Sequence, residues 1–368
     1  MICRISARAR IRLATGVGIF LAVSAARAAP PEDSPAIISF VESPITFPSS
    51  QTSIGAKACW GAYVVYVDVG PTDQVLIYHE YVVFEASYPS PGFFALAGAA
   101  TDRGVIFFGV NTATRKTQLM RLDLGPSRKG PVYYDLDLDT TQGVILKGNG
   151  LGDYAGLSVA TGKLFTHWHG MPDDMHVFYT QPATSRPTDL AYGWNSWYFT
   201  NSGSNTLARV NSAGVYSVAT LPYAPLSIAY GPSDTTPGDF YITDRNQPGY
   251  WLYNPVKGTG AKTALKAVTG GLRFTSDGML LGFQAPRTIM VYNIATAEEI
   301  SYALKGTAQV QDYVISPGRY PWTLLVDEVS PTRGMVVSLQ LSGLAFCREL
   351  VSGRREGEWM DLARSIGR

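Results

Sequence analysis

Charge is scarce in this sequence. Asp, Glu, Lys and Arg make up only 16% of its 368 residues, against about a quarter in ordinary soluble domains. Long solvent-facing helices, which need many Lys, Glu and Ala, do not fit that supply. Disorder does not fit either, because 46% of the residues are hydrophobic. Cysteine is nearly absent, with three in the chain, so neither a multi-disulfide scaffold nor a cysteine-rich zinc module is available. Several enzyme signatures are missing: a GxSxG elbow, a Walker loop, HExxH, CxxC, and GxGxxG after a strand. These gaps count against a standard serine hydrolase, NTPase, zincin, thioredoxin-type or dinucleotide enzyme.

What is present favours strands. Twenty-one Tyr and 15 Phe supply residues suited to sheets, and 37 Gly with 23 Pro supply turns. The N-terminus reads as a secretory signal over residues 1–28. Arg4, Arg8, Arg10 and Arg12 precede a short apolar stretch, Leu13 to Ala26, and Ala26-Arg27-Ala28 has the small-x-small cleavage pattern. That stretch is too short for a comfortable membrane span, so no stable span is expected after cleavage. The expected location is secreted, extracellular or periplasmic. Residues 1–28 hold five Arg and no acid, so removing them takes the net charge from +1 to −4. A mildly acidic surface argues against nucleic acid as a partner.

Two of the three cysteines, Cys59 and Cys347, remain after cleavage, one near each end. In an exported protein they are expected to pair. The loop so closed would span nearly the whole domain and stabilise it by about 5 kcal/mol on the chain-entropy argument.

One pattern recurs: a short β-branched or aromatic run, a polar turn, then a second apolar run. It occurs as AYVVYVDVGPTDQVLIY from Ala62, GVIFFGVNTATRKTQLMRLDL from Gly104 and GVILKGNGLGDYAGLSV from Gly143. It returns as SWYFTNSGSNTLARVN from Ser196, DFYITDRNQPGYWLYN from Asp239, GMLLGFQAPRTIMVYN from Gly278 and WTLLVDEVSPTRGMVVSL from Trp322. One strand-core residue per copy (Val65, Ile106, Leu146, Trp197, Phe240, Leu280, Leu324) gives intervals of 41, 40, 51, 43, 40 and 44 residues. This spacing predicts an all-β propeller over residues 51–347 with about seven four-stranded blades. A Pro- and Ser-rich lead-in covers 29–50. A basic tail, 348–368, carries Trp359, Leu362 and Ile366 at helical spacing and predicts a short helix.

PTDLAYGWNSWYFTNSGSNTLARVNSAG from Pro187 and APLSIAYGPSDTTPGDFYITDRNQPGYWLYN from Ala224 resemble the repeat of a propeller superfamily. That group includes NHL repeats, SMP-30/gluconolactonase-type enzymes and streptogramin-lyase-type proteins. Two copies match well and the rest loosely. In the lactonase branch, acidic and amide side chains hold a divalent metal at the mouth of the channel. The resemblance implies that role for the strand-end residues here, although Pro187-Thr188-Asp189 stands where that branch tends to carry Pro-Asn-Gly.

Three sets of residues invite a function. Strand-end polar residues recur at Asp68, Asn149, Asn201, Asp244, Gln284 and Asp327, with Asn111 offset; converging around one axis they would suit Ca²⁺, or else they simply start turns. His167, His169 and His176 lie with Asp173 and Asp174 in THWHGMPDDMH. Two imidazoles two residues apart on a strand share a face and would suit Zn²⁺, or His169 would serve as a general base. Otherwise the segment is an exposed polar loop. Asp135, Asp137 and Asp139 alternate with leucine on one strand face, which is either solvated or cation-bound. The aromatics Trp194, Trp197, Tyr198, Tyr250 and Trp251 either stack on sugars or pack between sheets. The leading function is an exported propeller that binds a protein or glycan ligand through loops at one end of the ring. The alternative is a metal-dependent propeller enzyme of lactonase, lyase or hydrolase type.

Overall fold

Every regular element among the described residues is a β-strand. The computed structural model describes residues 37–342 apart from 46, 49–53, 70–71, 80–82, 127, 141–142, 183–184, 232–237, 276–277, 286, 306–309, 316–321 and 329–333. Residues 1–28, expected to be a signal segment, the tail 348–368 and Cys347 lie outside the described residues. Within them, no helix is long and apolar enough to cross a membrane.

In chain order the strands begin with β1 (Ile37–Pro44), then β2 (Ile54–Trp60), β3 (Tyr63–Asp68), β4 (Gln74–His79) and β5 (Val83–Pro89). Next come β6 (Phe93–Ala100), β7 (Gly104–Asn111), β8 (Thr117–Asp123) and β9 (Val132–Leu136), then β10 (Val144–Gly148), β11 (Tyr154–Ser158), β12 (Leu164–His167) and β13 (Val177–Tyr179). They are followed by β14 (Pro187–Gly193), β15 (Ser196–Asn201), β16 (Thr206–Asn211) and β17 (Tyr216–Thr220), and by β18 (Pro225–Gly231), β19 (Asp239–Asp244), β20 (Tyr250–Asn254) and β21 (Gly258–Thr263). The last are β22 (Thr269–Phe274), β23 (Met279–Gln284), β24 (Thr288–Asn293), β25 (Glu298–Ala303), β26 (Val310–Ile315), β27 (Trp322–Glu328) and β28 (Gly334–Ser342).

Six four-stranded antiparallel sheets each use four consecutive strands, from β2-β3-β4-β5 to β22-β23-β24-β25. A further sheet joins the two chain ends in the order β1-β28-β27-β26, with Ile37 opposite Ser342 and Pro44 opposite Met335. The first strands of neighbouring sheets touch in a closed cycle: β2 with β6, β6 with β10, β10 with β14, β14 with β18, β18 with β22, β22 with β26, and β26 with β2. They are therefore the innermost strands of a ring, and β1 is an outermost one. The all-β propeller expectation holds. The repeat had slipped by one strand in one copy. Leu146 lies on the innermost strand β10, whereas the other six marker residues lie on second strands. The 51-residue interval from Leu146 to Trp197 is long because its first marker sits one strand early, and not because of an insertion at the histidines.

In the six sheets from β2 to β25 both faces are buried along the second strands, which read as nearly unbroken apolar runs rather than alternating ones. Val65 and Val67 pack toward the second sheet with Phe93 and Phe107, while Val64 and Tyr66 on the same strand enter a separate cluster with Ile45 and Tyr78. Trp197 and Phe199 face the third sheet, and Tyr198 between them faces the fifth.

Near the axis the innermost strands crowd, and small residues relieve that crowding. A Cβ on Gly55 would lie 2.6 Å from the Ala95 carbonyl oxygen, one on Gly98 2.5 Å from that of Lys57, and one on Gly148 1.9 Å from that of Ala100. Each contact joins innermost strands of adjacent sheets. Gly125, by contrast, has open space where a Cβ would stand. Gly148→Val is therefore expected to destabilise the protein by about 3 kcal/mol through overpacking against backbone, and Gly125→Ala by less than about 0.5 kcal/mol. Urea denaturation of the two variants checks this; equal, small effects would contradict the close approach at the axis.

Candidate functional site

Antiparallel order divides the loops between the two ends of the ring. Connections from first to second and third to fourth strands gather at one end, here called the lower. Second-to-third connections and sheet-to-sheet crossings gather at the upper end. The two expected metal sets thus lie on opposite ends. Asp68, Asn201, Asp244, Gln284 and Asp327 are at or next to the upper ends of second strands, while His167, His169, His176 and Asp173 belong to the lower end.

The upper set is engaged locally, in turns or, for Gln284, across strands. Asp68 accepts from the Thr72 hydroxyl. Asn111 Oδ1 accepts from the Ala113 and Thr114 amides at 3.0 Å each, and Asp244 Oδ1 from the Asn246 amide at 2.8 Å. Asn201 Nδ2 donates to Thr206 Oγ1 at 3.3 Å, and Gln284 Nε2 donates to Thr269 and Glu299. Asn149 lies elsewhere, in the β10–β11 turn at the lower end, where it holds Leu151 and Asp153. Nothing is described of the Asp327 side chain. Asp135 and Asp137 pair with Lys116 and Lys163 at 2.7 Å each, as a solvated outer face does. The expected sugar-stacking aromatics are mostly core: Trp197, Tyr198 and Tyr250 are buried, Trp251 stacks on Tyr223, and Trp194 Nε1 donates to the Gly238 carbonyl.

Among the described residues no three His, Cys, Asp or Glu side chains stand where they could hold one metal ion. The same-face argument fails for a definite reason: β12 ends at His167, and His169 lies beyond it in the 168–176 loop. Each group is held separately. His167 Nδ1 donates to the Met175 carbonyl at 3.1 Å, which places a proton on Nδ1 and directs Nε2 away from that bond. Its ring stacks on Tyr154, with centroids 4.6 Å apart. His176 Nε2 pairs with the Tyr154 hydroxyl at 3.1 Å. The His169 amide donates to buried Asp153 at 2.6 Å, and its exposed ring packs where a Cβ on Gly152 would stand, 2.6 Å from Nδ1. Asp173 is engaged by Arg121 and Arg103.

Tyr154, His167, His169 and Asp173, but not His176, line a pocket of 320 Å³ at the lower end of the seam between the second and third sheets. Thr101, Asp102 and Arg103 come from the β6–β7 turn and Arg121 from β8; Tyr154, His167 and His169 come from the third sheet. Arg121 is buried, with its Nε donating to Asp123 at 2.9 Å. Burial opposes its charge, but Asp123 and Asp173 outweigh that and hold its pKa above the ordinary guanidinium value. The sequence reading passed over Arg121, Arg103 and Tyr154. The available signal was an arginine inside the apolar run QLMRL, since a buried charge is kept only where it has partners.

Cys59 is buried and has no disulfide partner among the described residues. Burial, partly offset by Lys57, pushes its pKa up to about 12, so it is inert as a nucleophile at neutral pH. Its expected partner, Cys347, lies outside the described residues.

Burial, together with the nearby His167, lowers the His176 pKa to about 4. The ordinary value is near 6.5, so between these limits the unfolded chain binds the proton more readily. The contribution of His176 to stability is therefore complete above about pH 6.5 and is lost as pH falls toward 4, by about 2 kcal/mol after allowance for its partial exposure. His176→Gln, which keeps an acceptor for Tyr154, is expected to flatten that part of the pH dependence. Urea titrations of both proteins at pH 7 and pH 4 read the difference; identical losses would contradict it.

No family model matches the chain, and no curated protein matches it. Solved structures do match. Selenomethionine-substituted virginiamycin B lyase from Staphylococcus aureus superposes with a TM-score of 0.63 at 12% identity, over 83% of this chain and 100% of that one. A streptogramin B lyase gives 0.62 at 12% identity, over 82% and 98%. A catalytically inactive histidine-to-alanine variant of the S. aureus lyase with quinupristin gives 0.62 at 11%, over 82% and 99%. At such identities the likeness is one of fold, and the chain has the propeller fold of the streptogramin B lyases.

Proposed function

We propose that the protein is an exported propeller that binds a small polar molecule at the lower end of the ring, in the pocket between the second and third sheets. The observation that carries this reading is the convergence of three connections on one concavity of 320 Å³ that contains a buried guanidinium. That volume is in the range of small-molecule sites, and loops held by a rigid scaffold are where binding residues concentrate. Glycan stacking draws less support, because the aromatics expected to supply it are mostly in the core. A thermal-shift screen with a small-molecule library tests the proposal. Compounds that raise the melting temperature should lose their effect when Met171→Trp fills the pocket; undiminished shifts in that variant, or no shifts at all in the parent protein, would contradict it.

A second reading is supported by the fold neighbours and by the state of His167. An elimination needs a base for the proton and a cation for the developing negative charge. His167 Nε2 and the guanidiniums of Arg103 and Arg121 offer both in one pocket. Incubation with quinupristin, followed chromatographically, tests it: consumption by the parent protein that disappears in His167→Phe supports a lyase, and no consumption contradicts activity on that substrate.

A further inference from the structure

The binding pocket contains an unusual internal ion cluster. Arg121 comes from the apolar strand β8, and its side chain is only 9% exposed. Its Nε bonds Asp123 and its Nη1 bonds Asp173, yet its Nη2 is buried with no hydrogen-bond partner. A buried donor left unpaired is destabilising, and more so on a charged group. Asp173 is the carboxylate that both guanidiniums share. It sits on the 168–176 connection, is 39% exposed, and also receives Arg103 Nη2 at 3.3 Å. Arg103 is 57% exposed and leans on Asp102 at 3.8 Å.

Resting on the pocket reading above, we propose that the ligand is a small monocarboxylate, and that Asp173 is its internal stand-in. The ligand carboxylate takes the place of the Asp173 carboxylate between Arg103 and Arg121, engages Arg121 Nη2, and releases the 168–176 connection. A planar carboxylate matches the donor fork of a guanidinium. Charge decides between anions. Two guanidiniums face three carboxylates here: Asp102, Asp123 and Asp173. Exchanging Asp173 for one carboxylate leaves that balance unchanged, whereas a dianion such as phosphate would add a further negative charge beside Asp102 and Asp123. The apolar side of the ligand would meet Tyr154 and Met171, which line the same pocket.

Benzoate and its neutral counterpart benzamide are the probes, with affinity read by isothermal titration. Benzoate is expected to bind and benzamide to bind at least about tenfold more weakly. Asp173→Asn removes the competitor and is expected to tighten benzoate about tenfold without helping benzamide. Arg103→Gln, at an exposed position that does not threaten folding, is expected to weaken benzoate several-fold, as is Arg121→Gln. Amide hydrogen exchange across 169–176 should rise on benzoate binding, a change that a purely structural ion cluster would not produce. Equal binding of benzoate and benzamide, or an Asp173→Asn variant with unchanged benzoate affinity, overturns the carboxylate inference while leaving the pocket reading intact. So does absence of benzoate binding in both proteins when library compounds bind the pocket. Failure of the whole library is the separate outcome that removes the pocket reading itself.

Discussion

The structure depends on how closely the innermost strands approach one another around the axis. Sheets arranged as a ring converge inward, and at the inner edge only backbone and small side chains fit. The sequence supplies them there: Gly55, Ala56 and Ala58 on β2, Ala95, Ala97 and Gly98 on β6, and Gly148 on β10. Further along, a glycine ends an innermost strand and an aromatic of the next sheet covers it. Tyr230 lies over Gly193, and Phe274 over Gly231. Outward, the gap between sheets widens and larger residues fill it: Phe107 and Met120 in one seam, Trp197 and Phe199 in another. Each such side chain contributes about 2–3 kcal/mol of burial. The taper therefore decides which residues can stand at which radius.

The same taper accounts for the pocket. At the lower end of the seam between the second and third sheets, the connections are long and polar. The 168–176 connection leans across toward Arg103 and Arg121 of the neighbouring sheet, and is held from below by Asp153 and from inside by His167. The rigid part is the apolar seam beneath, where Phe108 and Phe165 stack at 5.8 Å. The adjustable part is an ion cluster that carries one more carboxylate than guanidinium.

Much of the architecture was legible in the residues. Hairpins recurring at about 40 residues gave the sheets, because each second strand is an apolar run closed by a turn former such as Asp68, Asn201 or Asp244. The slip at Leu146 arose because VILKG on β10 resembles a second strand in composition, although it is an innermost one. The site was harder to read. Its histidines are adjacent in sequence, which suggested joint ligation, but the strand ends between them and their rings turn to different partners. Its arginines come from another sheet, and no local pattern in the sequence joins residue 121 to residue 173. Proximity across a seam is set by the ring, and single-strand periodicity does not encode it.

Closure of the ring by the two chain ends is the claim on which this account rests, and the pairing of β1 with β28 states it in a form that can be measured. Ser39 lies opposite Gln340 in that pair, and cross-strand neighbours are close enough for a disulfide. The double variant S39C/Q340C should oxidise to an intramolecular bridge in the monomer, seen as faster migration on a non-reducing gel and loss of both thiols. Thiols that stay free, or that link only between molecules, would show that the ring does not close in this way.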